Sequence, residues 1–311
     1  MRAAVIGVGY MGRFHAQKLA LCKGAKLVAV VDSDLARAAE VAREVRCEAH
    51  ADPRHVLAGI DAAVVAVPTE LHYRVVRDCL EAGVHVLVEK PLARSVAEAD
   101  RLLALARKRR LVLQVGHLER FNPAFRALAG SAERPLFIDI ERLAPFKSRG
   151  TDVDVVLDLM IHDLDLVLAL ESSAVRRLSA CGFRVLTGAI DIANARIEFA
   201  SGCVANVSAS RVSQVPVRKL RVLRGHGYVS ADLQGQRLRT VRRTSSGIRE
   251  IERSFERTDA LALQAAAFVR AVRSRRSPAV GGDEGRRALR LALEVSARIR
   301  ARLARTAARR R

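Results

Sequence analysis

Short, nearly unbroken apolar runs mark the first 120 residues, and between them apolar positions recur at helical spacing. "AAVIG" reads as a strand ending at Gly7, followed by a glycine turn and a helix through "RFHAQKLA". "KLVAVVDSD" (26–34) is a second strand ending in Asp32, and "IDAAVVAVPT" (60–69) a third, stopped by Pro68. "HVLVEKPLA" (85–93) and "LVLQVGH" (111–117) supply a fourth and a fifth. The helices between them are "DLARAAEVAREV", "LHYRVVRDCLEAG", closed by Gly83, and "SVAEADRLLALARKRR". The last opens on Ser95 with Glu98 three residues on, the spacing of a capping box. Strands that are apolar throughout belong to a parallel sheet covered on both faces. The pattern predicts a doubly wound nucleotide-binding domain over residues 1–120.

Beyond "RFNPAF" the pattern changes. One apolar helix, "LDLMIHDLDLVL" (157–168), precedes strand-like segments: "VRRLSACGFRVL", "DIANARIEFASGCVANVSASRV", "RKLRVLRGHGYVSADL" and "QRLRTVRRT". Gly202 predicts one hairpin turn and Gly225 with Gly227 another. These predict a C-terminal α+β domain, residues 121–311, with a large, mostly antiparallel sheet left open on one face for a helix or another subunit. Two helices close the chain, "ALALQAAAFVRAVRSRR" and "EGRRALRLALEVSARIRARLARTAARRR", and the final arginines are expected to fray. The fold class is therefore α/β, a Rossmann sheet followed by an α+β domain.

The helix at 157–168 is apolar nearly all round yet carries Asp158, His162, Asp163 and Asp165. At about 100° per residue, Asp158, His162 and Asp165 fall within a stripe roughly 60° wide, while Asp163 points elsewhere. An all-round apolar helix is buried, and buried carboxylates need partners. A histidine and an aspartate at i, i+4, with no HExxH and no second histidine cluster, do not make a metal site.

Composition narrows the class. The 311 residues suit two domains, and no apolar run is long enough to span a membrane. Five scattered cysteines, none in a CxxC pair, suggest reduced thiols and a cytoplasmic protein. The apolar N-terminus is broken at once by glycines and basic residues, unlike a secretory signal. Lys and Arg outnumber Asp and Glu by 54 to 33, a balance that attracts polyanions. Yet aromatics make up only 4% and no nucleic-acid-binding motif is present, so the excess reads as a compositional Arg bias able to steer an acidic small molecule.

Gly7-Val8-Gly9-Tyr10-Met11-Gly12 matches G-x-G-x-x-G between a strand and a helix, and Asp32 lies twenty residues past Gly12 at the end of the next strand. In that setting the glycines allow a tight turn and close approach of a pyrophosphate, and the helix start offers N–H donors. Asp32 suits the adenine ribose hydroxyls and repels a 2′-phosphate, which favours NAD over NADP. Asp34 is the alternative cap for the following helix.

"GVGYMGRFHA", "AVPTELH", "VLVEKPLA", "RFNP" and Asp158-x-x-x-His162-x-x-Asp165 resemble, in order and spacing, the Gfo/Idh/MocA oxidoreductase family. The resemblance covers nearly the whole chain. Within the family, "GHLERFNPAF" and "DVVLDLMIHDLDLV" are most similar to the branch that oxidises C3 of UDP-N-acetylglucosamine for amino-sugar lipid A synthesis. One departure is "TDVDVVLDL", where many members carry a glycine cluster before the aspartate. The resemblance implies that Pro68, Thr69 and His72 lie along the cofactor. It places Glu89 and Lys90, followed by Pro91, where nicotinamide meets substrate, with a cis Glu89–Lys90 peptide. It also makes His117, Arg120 and Asn122 candidate substrate residues, with a structural role as the alternative for each.

Oxidising a secondary alcohol removes a hydride from carbon and a proton from oxygen. His162 suits the proton, Lys90 the developing alkoxide, and Asp158 the orientation of the ring; Asp165 is expected to be structural. The expected function, which the resemblance implies, is an NAD-dependent dehydrogenase that oxidises a secondary hydroxyl of a sugar, C3 of UDP-N-acetylglucosamine to the 3-keto sugar, as a homodimer or homotetramer. The alternatives are a dehydrogenase of a UDP-uronate, inositol or free hexose, and a dinucleotide-sensing or nucleic-acid-binding protein without turnover.

Overall fold

The computed structural model describes residues 1–147, 153–225 and 227–308. They form two compact units, Met1–Leu118 with Asp259–Leu289, and Glu119–Thr258 with Arg290–Arg311.

The first unit is built on strands β1 (Arg2–Ile6), β2 (Lys26–Val31), β3 (Glu48–His50), β4 (Ala62–Val65), β5 (His85–Val88) and β6 (Leu113–Val115). They lie in the order β3-β2-β1-β4-β5-β6, and every pairing is parallel. Helices α1 (Tyr10–Ala20), α2 (Leu35–Val45), α3 (Arg54–Leu57), α4 (Thr69–Glu81) and α5 (Val96–Arg109) connect them. The order reverses beside β1, which makes the carboxyl ends of β1 and β4 the ligand crevice of such a sheet. The apolar runs behave as expected: β4 is buried at every position, as a strand covered on both faces must be. The Ser95 hydroxyl caps α5 by accepting the Glu98 N–H, while Glu98 reaches back to the Arg94 N–H, one residue earlier than a capping box requires.

The sheet has six strands where the apolar runs predict five. Only three residues long and not fully buried at any position, β3 has no apolar run to announce it. Residues 259–289, grouped by the sequence pattern with the C-terminal part, cluster instead with the first unit. Helix α8 (Ala260–Ser274) explains why. Phe268, Val269, Ala271 and Val272 share a core with Ala3, Val5, Leu19 and Leu27, and Asp259 pairs with Lys18 at 2.8 Å.

The second unit contains α6 (Pro123–Ala129), β7 (Phe137–Leu143), α7 (Ile161–Leu170) and strands β8 (Val175–Phe183), β9 (Ile192–Phe199), β10 (Val204–Ser210), β11 (Val217–Arg224), β12 (Gly227–Asp232), β13 (Arg237–Thr244) and β14 (Gly247–Ser254). The eight strands run β14-β13-β12-β11-β7-β10-β9-β8. All pairs are antiparallel except β7 with β10. Gly202 does sit in the β9–β10 turn, at φ +90. Gly225 and Gly227 flank the β11–β12 turn, whose residue 226 lies outside the described residues. Two strands escape the sequence pattern. In β7 the inward row of Ile138 and Ile140 ends in Arg142 while Phe137, Asp139, Glu141 and Leu143 face outward, and in β14 every residue is exposed, so no apolar face marks it. Helix α9 (Gly282–Ala308) ends the described chain, and the terminal arginines expected to fray lie outside it.

Candidate active site

In the first unit the singled-out residues emerge at the carboxyl ends of the parallel strands. Gly7 follows β1 at φ +84, and a Cβ there would lie 2.7 Å from the Ala66 carbonyl. A Cβ on Gly12 would lie 1.8 Å from the Gly7 carbonyl oxygen, so the strand–helix turn closes only with glycine at that place. Gly9 faces open space, with nothing within 4 Å of a Cβ. Gly9 also precedes α1 without a side-chain cap, and no acidic residue stands in the first turn. Tyr10 is exposed and packs edge-on against Phe14, with partly buried Met11 beside it. An open glycine before an uncapped helix start fits a dinucleotide pyrophosphate.

Asp32, just past β2, is buried and accepts the Val8 N–H at 2.9 Å and the Asp34 N–H at 3.0 Å. Asp34, not Asp32, caps α2, accepting the Arg37 N–H at 3.1 Å. Asp32 thus holds the glycine loop to the end of β2.

Past β4, Pro68 forms the N-cap of α4 and Thr69 is its first residue. His72 is buried one turn on. Its Nδ1 lies 2.7 Å from the Pro91 carbonyl and its Nε2 2.9 Å from the Val67 carbonyl. Both ring nitrogens therefore face the main chain, bracing the turn after β5 against the turn after β4. Burial holds His72 below the usual histidine pKa, so the neutral ring donates to one carbonyl at a time. Past β5, the cis peptide is Lys90–Pro91 and not Glu89–Lys90. A proline nitrogen makes cis far less costly than an ordinary amide does. Partly exposed Lys90 is bracketed by buried Glu89, whose Oε1 meets His15 Nε2 at 2.6 Å and whose Oε2 accepts the Lys90 N–H at 3.1 Å. Burial would raise the Glu89 carboxyl, but the His15 hydrogen bond and the charges of His15 and Lys90 outweigh it and hold it below the usual range. His117, buried, follows β6. His15 shares the buried stripe Gly12, His15, Ala16, Leu19 of α1, and in the sequence it is only one of the polar residues that break the N-terminal apolar run, with nothing to link it to Glu89.

In the second unit, Asp158 and His162 do not share one regular helix. Residues Val156–Met160 form a π-helical turn ahead of α7, and the Ile161 N–H reaches back five residues to the Val156 carbonyl. The wheel at 100° per residue fails there, because a π turn takes an extra residue; such turns concentrate at functional sites. Asp158 is partly exposed in that turn, and His162 is buried in the first turn of α7.

Ion pairs fix this segment from three elements. Arg120 binds Asp165 through two hydrogen bonds, 2.6 and 3.1 Å. Arg142 of β7 grips Asp163 at 2.8–3.0 Å and reaches Glu119 at 3.1 Å. Buried Asp154 caps the π turn through the Leu157 N–H and meets Arg300 of α9 at 2.9 Å. Asp163, unexplained by the sequence, is thus half of a buried pair. Burial alone would lower the Arg142 pKa, but the charges of Asp163 and Glu119 raise it above its ordinary value. Asn122 is also engaged: its Oδ1 caps α6 through the Ala124 N–H, and its amide nitrogen donates to the Leu233 carbonyl at 2.8 Å. The alternation in "FIDIERL" places Arg142 inward, and an inward arginine requires a buried carboxylate. That signal was available in the sequence.

Comparison with known proteins gives the family and the fold. Residues 1–117 match the model of an oxidoreductase family with an NAD-binding Rossmann fold, and residues 138–230 match the Gfo/Idh/MocA C-terminal domain. The chain is 40% identical over 308 residues to a UDP-N-acetylglucosamine 3-dehydrogenase of Acidithiobacillus ferrooxidans, covering 97% of this chain and 98% of that protein. The solved structure of a protein with that name from the same organism superposes with a TM-score of 0.92. A myo-inositol 2-dehydrogenase of Thermotoga maritima is 28% identical, with 94% of each chain covered. At 18% identity, scyllo-inositol dehydrogenase of Lactobacillus casei, solved with NAD(H), shares the fold over 97% of each chain with a TM-score of 0.82. This chain is an NAD-binding oxidoreductase of the Gfo/Idh/MocA family.

Proposed function

We propose that the chain oxidises the C3 hydroxyl of UDP-N-acetylglucosamine to a ketone with NAD. The observation that carries this reading is the 40% identity, along 97% of the chain, to an enzyme of that name. NAD, held by Gly7, Gly9, Gly12 and Asp32 with Tyr10, Met11, Pro68, Thr69 and Glu89 alongside, supplies the hydride acceptor.

The protein's own residues handle the proton and the charge. The His162 imidazole takes the proton from the hydroxyl, and the Lys90 ammonium stabilises the negative charge that grows on that oxygen. Asp158 stabilises the imidazolium. His117 contacts the substrate. We assign Arg120 and Asn122 to positioning, because Asp165 and the α6 cap already engage their polar groups; His72 likewise braces the turn that carries Lys90. The product, a 3-keto nucleotide sugar, suits a PLP-dependent aminotransferase on the way to an amino-sugar lipid A, and we place the enzyme in the cytoplasm. Among the described residues, no helix is long and apolar enough to cross a membrane. The outward residues of the large sheet, Asn194, Arg196 and Asn206 among them, form a polar face that we assign to a homodimer or homotetramer.

A panel of UDP-N-acetylglucosamine, a UDP-uronate, inositol and a free hexose tests the substrate through NADH formation. The expected result is that the first has the highest kcat/KM. A cyclitol or free hexose that outpaces it overturns the substrate assignment.

A further inference from the structure

The first unit carries a band of positive charge at the end opposite its glycine turn. Lys23 precedes β2 and Lys26 begins it, while Arg110 closes α5 ahead of β6. Arg270 and Arg273 lie in the last turns of α8, and Arg275 is its C-cap. An Arg273 nitrogen lies 2.5 Å from where a Cβ on Gly24 would stand. Arg270 is beside Cys22, where its charge opposes the burial that raises the thiol pKa. Burial, helped by the charge of Arg275, holds His85 at the start of β5 below the usual histidine pKa. His85 Nδ1 in turn accepts the Val112 N–H at 2.9 Å, next to Arg110 and Leu111. The cations therefore run across the amino ends of the parallel strands from β2 to β6.

They are exposed, and among the described residues none of them has a carboxylate partner. The acids at this end are engaged elsewhere. Asp61 accepts the Arg2 N–H, Glu48 meets His50, Glu81 pairs with Arg77, and Arg107 binds Asp283. Toward the carboxyl ends of the strands, by contrast, Arg13, Arg37 and Arg54 each pair with a carboxylate. A field that steered an acidic substrate would lie at the crevice, and the crevice is at those carboxyl ends. This band faces the other way.

A helix C-terminus attracts cations by itself, which accounts for part of the charge on α5 and α8. It does not account for Leu21. That residue is the C-cap of α1, two positions before Lys23, and is 83% exposed, more than any other large apolar side chain described. Cations around an exposed leucine suit an anionic bilayer, whose headgroups attract the charges while the leucine leaves water for the acyl boundary. A nucleic acid would use the charges but not the leucine, and these positions carry no aromatic ring on which bases could stack.

We propose that the amino-end face of the first unit docks on an anionic lipid bilayer, with Leu21 inserted, the surrounding cations at headgroup level and the glycine turn facing away from the membrane. The proposal is independent of the substrate assignment.

Sedimentation of the full chain with vesicles of phosphatidylcholine, with and without about one third phosphatidylglycerol, tests it. The chain is expected to sediment only with the anionic vesicles and to be released as salt rises, because screening removes the attraction. Arg110→Gln, Arg273→Gln and Arg275→Gln combined are expected to weaken partitioning by about a hundredfold, at about fivefold for each cation near the surface. Leu21→Ser is expected to weaken it by about tenfold. Circular dichroism of both variants is expected to match the unaltered chain, since the altered side chains are exposed and unpaired. Absence of sedimentation with anionic vesicles, or sedimentation that the triple variant retains in full, overturns the proposal. Tighter binding to a random-sequence DNA duplex than to the vesicles, indifferent to Leu21→Ser, gives the face to nucleic acid and overturns it as well.

Discussion

His162→Ala is expected to lower kcat by about a hundred- to ten-thousandfold, the usual contribution of a positioned general base, with NAD affinity intact. The reasoning starts from chemistry. A secondary alcohol at neutral pH gives up its hydride readily only as its oxygen loses a proton, and histidine is the side chain whose ordinary pKa suits that exchange. His162 stands in the first turn of α7, directly after a π turn, on a segment that three separate ion pairs hold in place. Rigid placement of that kind is what a proton-transfer group needs. The glycine turn and Asp32 belong to the other unit, so calorimetry of the variant with NAD separates loss of chemistry from loss of binding. Near-normal turnover in the variant would take the base role away from His162.

Arg142→Ala is expected to cost about 3–5 kcal/mol of stability, the penalty for stripping the partner from a buried charge. Arg142 and Asp163 are 4% and 1% exposed, so solvent cannot take the place of the lost guanidinium. Glu119 keeps Arg218 and Asn122 as partners, whereas the only hydrogen bonds described for the Asp163 carboxylate come from Arg142. Urea denaturation followed by circular dichroism measures the effect. A midpoint equal to that of the unaltered protein contradicts the account of this network. Arg142→Lys is expected to recover only part of the loss, because an ammonium cannot grip both Asp163 oxygens and Glu119 at once.

Much of this was legible in the sequence, for identifiable reasons. The parallel sheet announced itself because strands covered on both faces are apolar at every position, and "DAAVVAV" has no other good use. The glycine turn was legible because Gly7 and Gly12 meet backbone atoms that no side chain could clear. The π turn was not, since nothing in "VVLDLM" separates it from an ordinary helix; the hydrogen bond from Ile161 to Val156 does. Asp163 stayed unexplained because its partner lies 21 residues away, on a strand whose inward row of Ile138 and Ile140 ends in the charged Arg142. The placement of 259–289 depends on the apolar face of α8 finding the Rossmann core, a choice between cores that local pattern does not record. His15 and His72 were legible as residues but not as braces, because each acts on a turn distant in the chain, at Glu89 and Pro91.

The central claim is hydride transfer from C3 of the nucleotide sugar to NAD. Reaction with UDP-N-acetylglucosamine carrying deuterium at C3, followed by mass spectrometry of both products, tests it most directly. The account predicts deuterium in the reduced nicotinamide and none in a 3-keto sugar. Deuterium retained on the sugar while unlabelled NADH accumulates would contradict it.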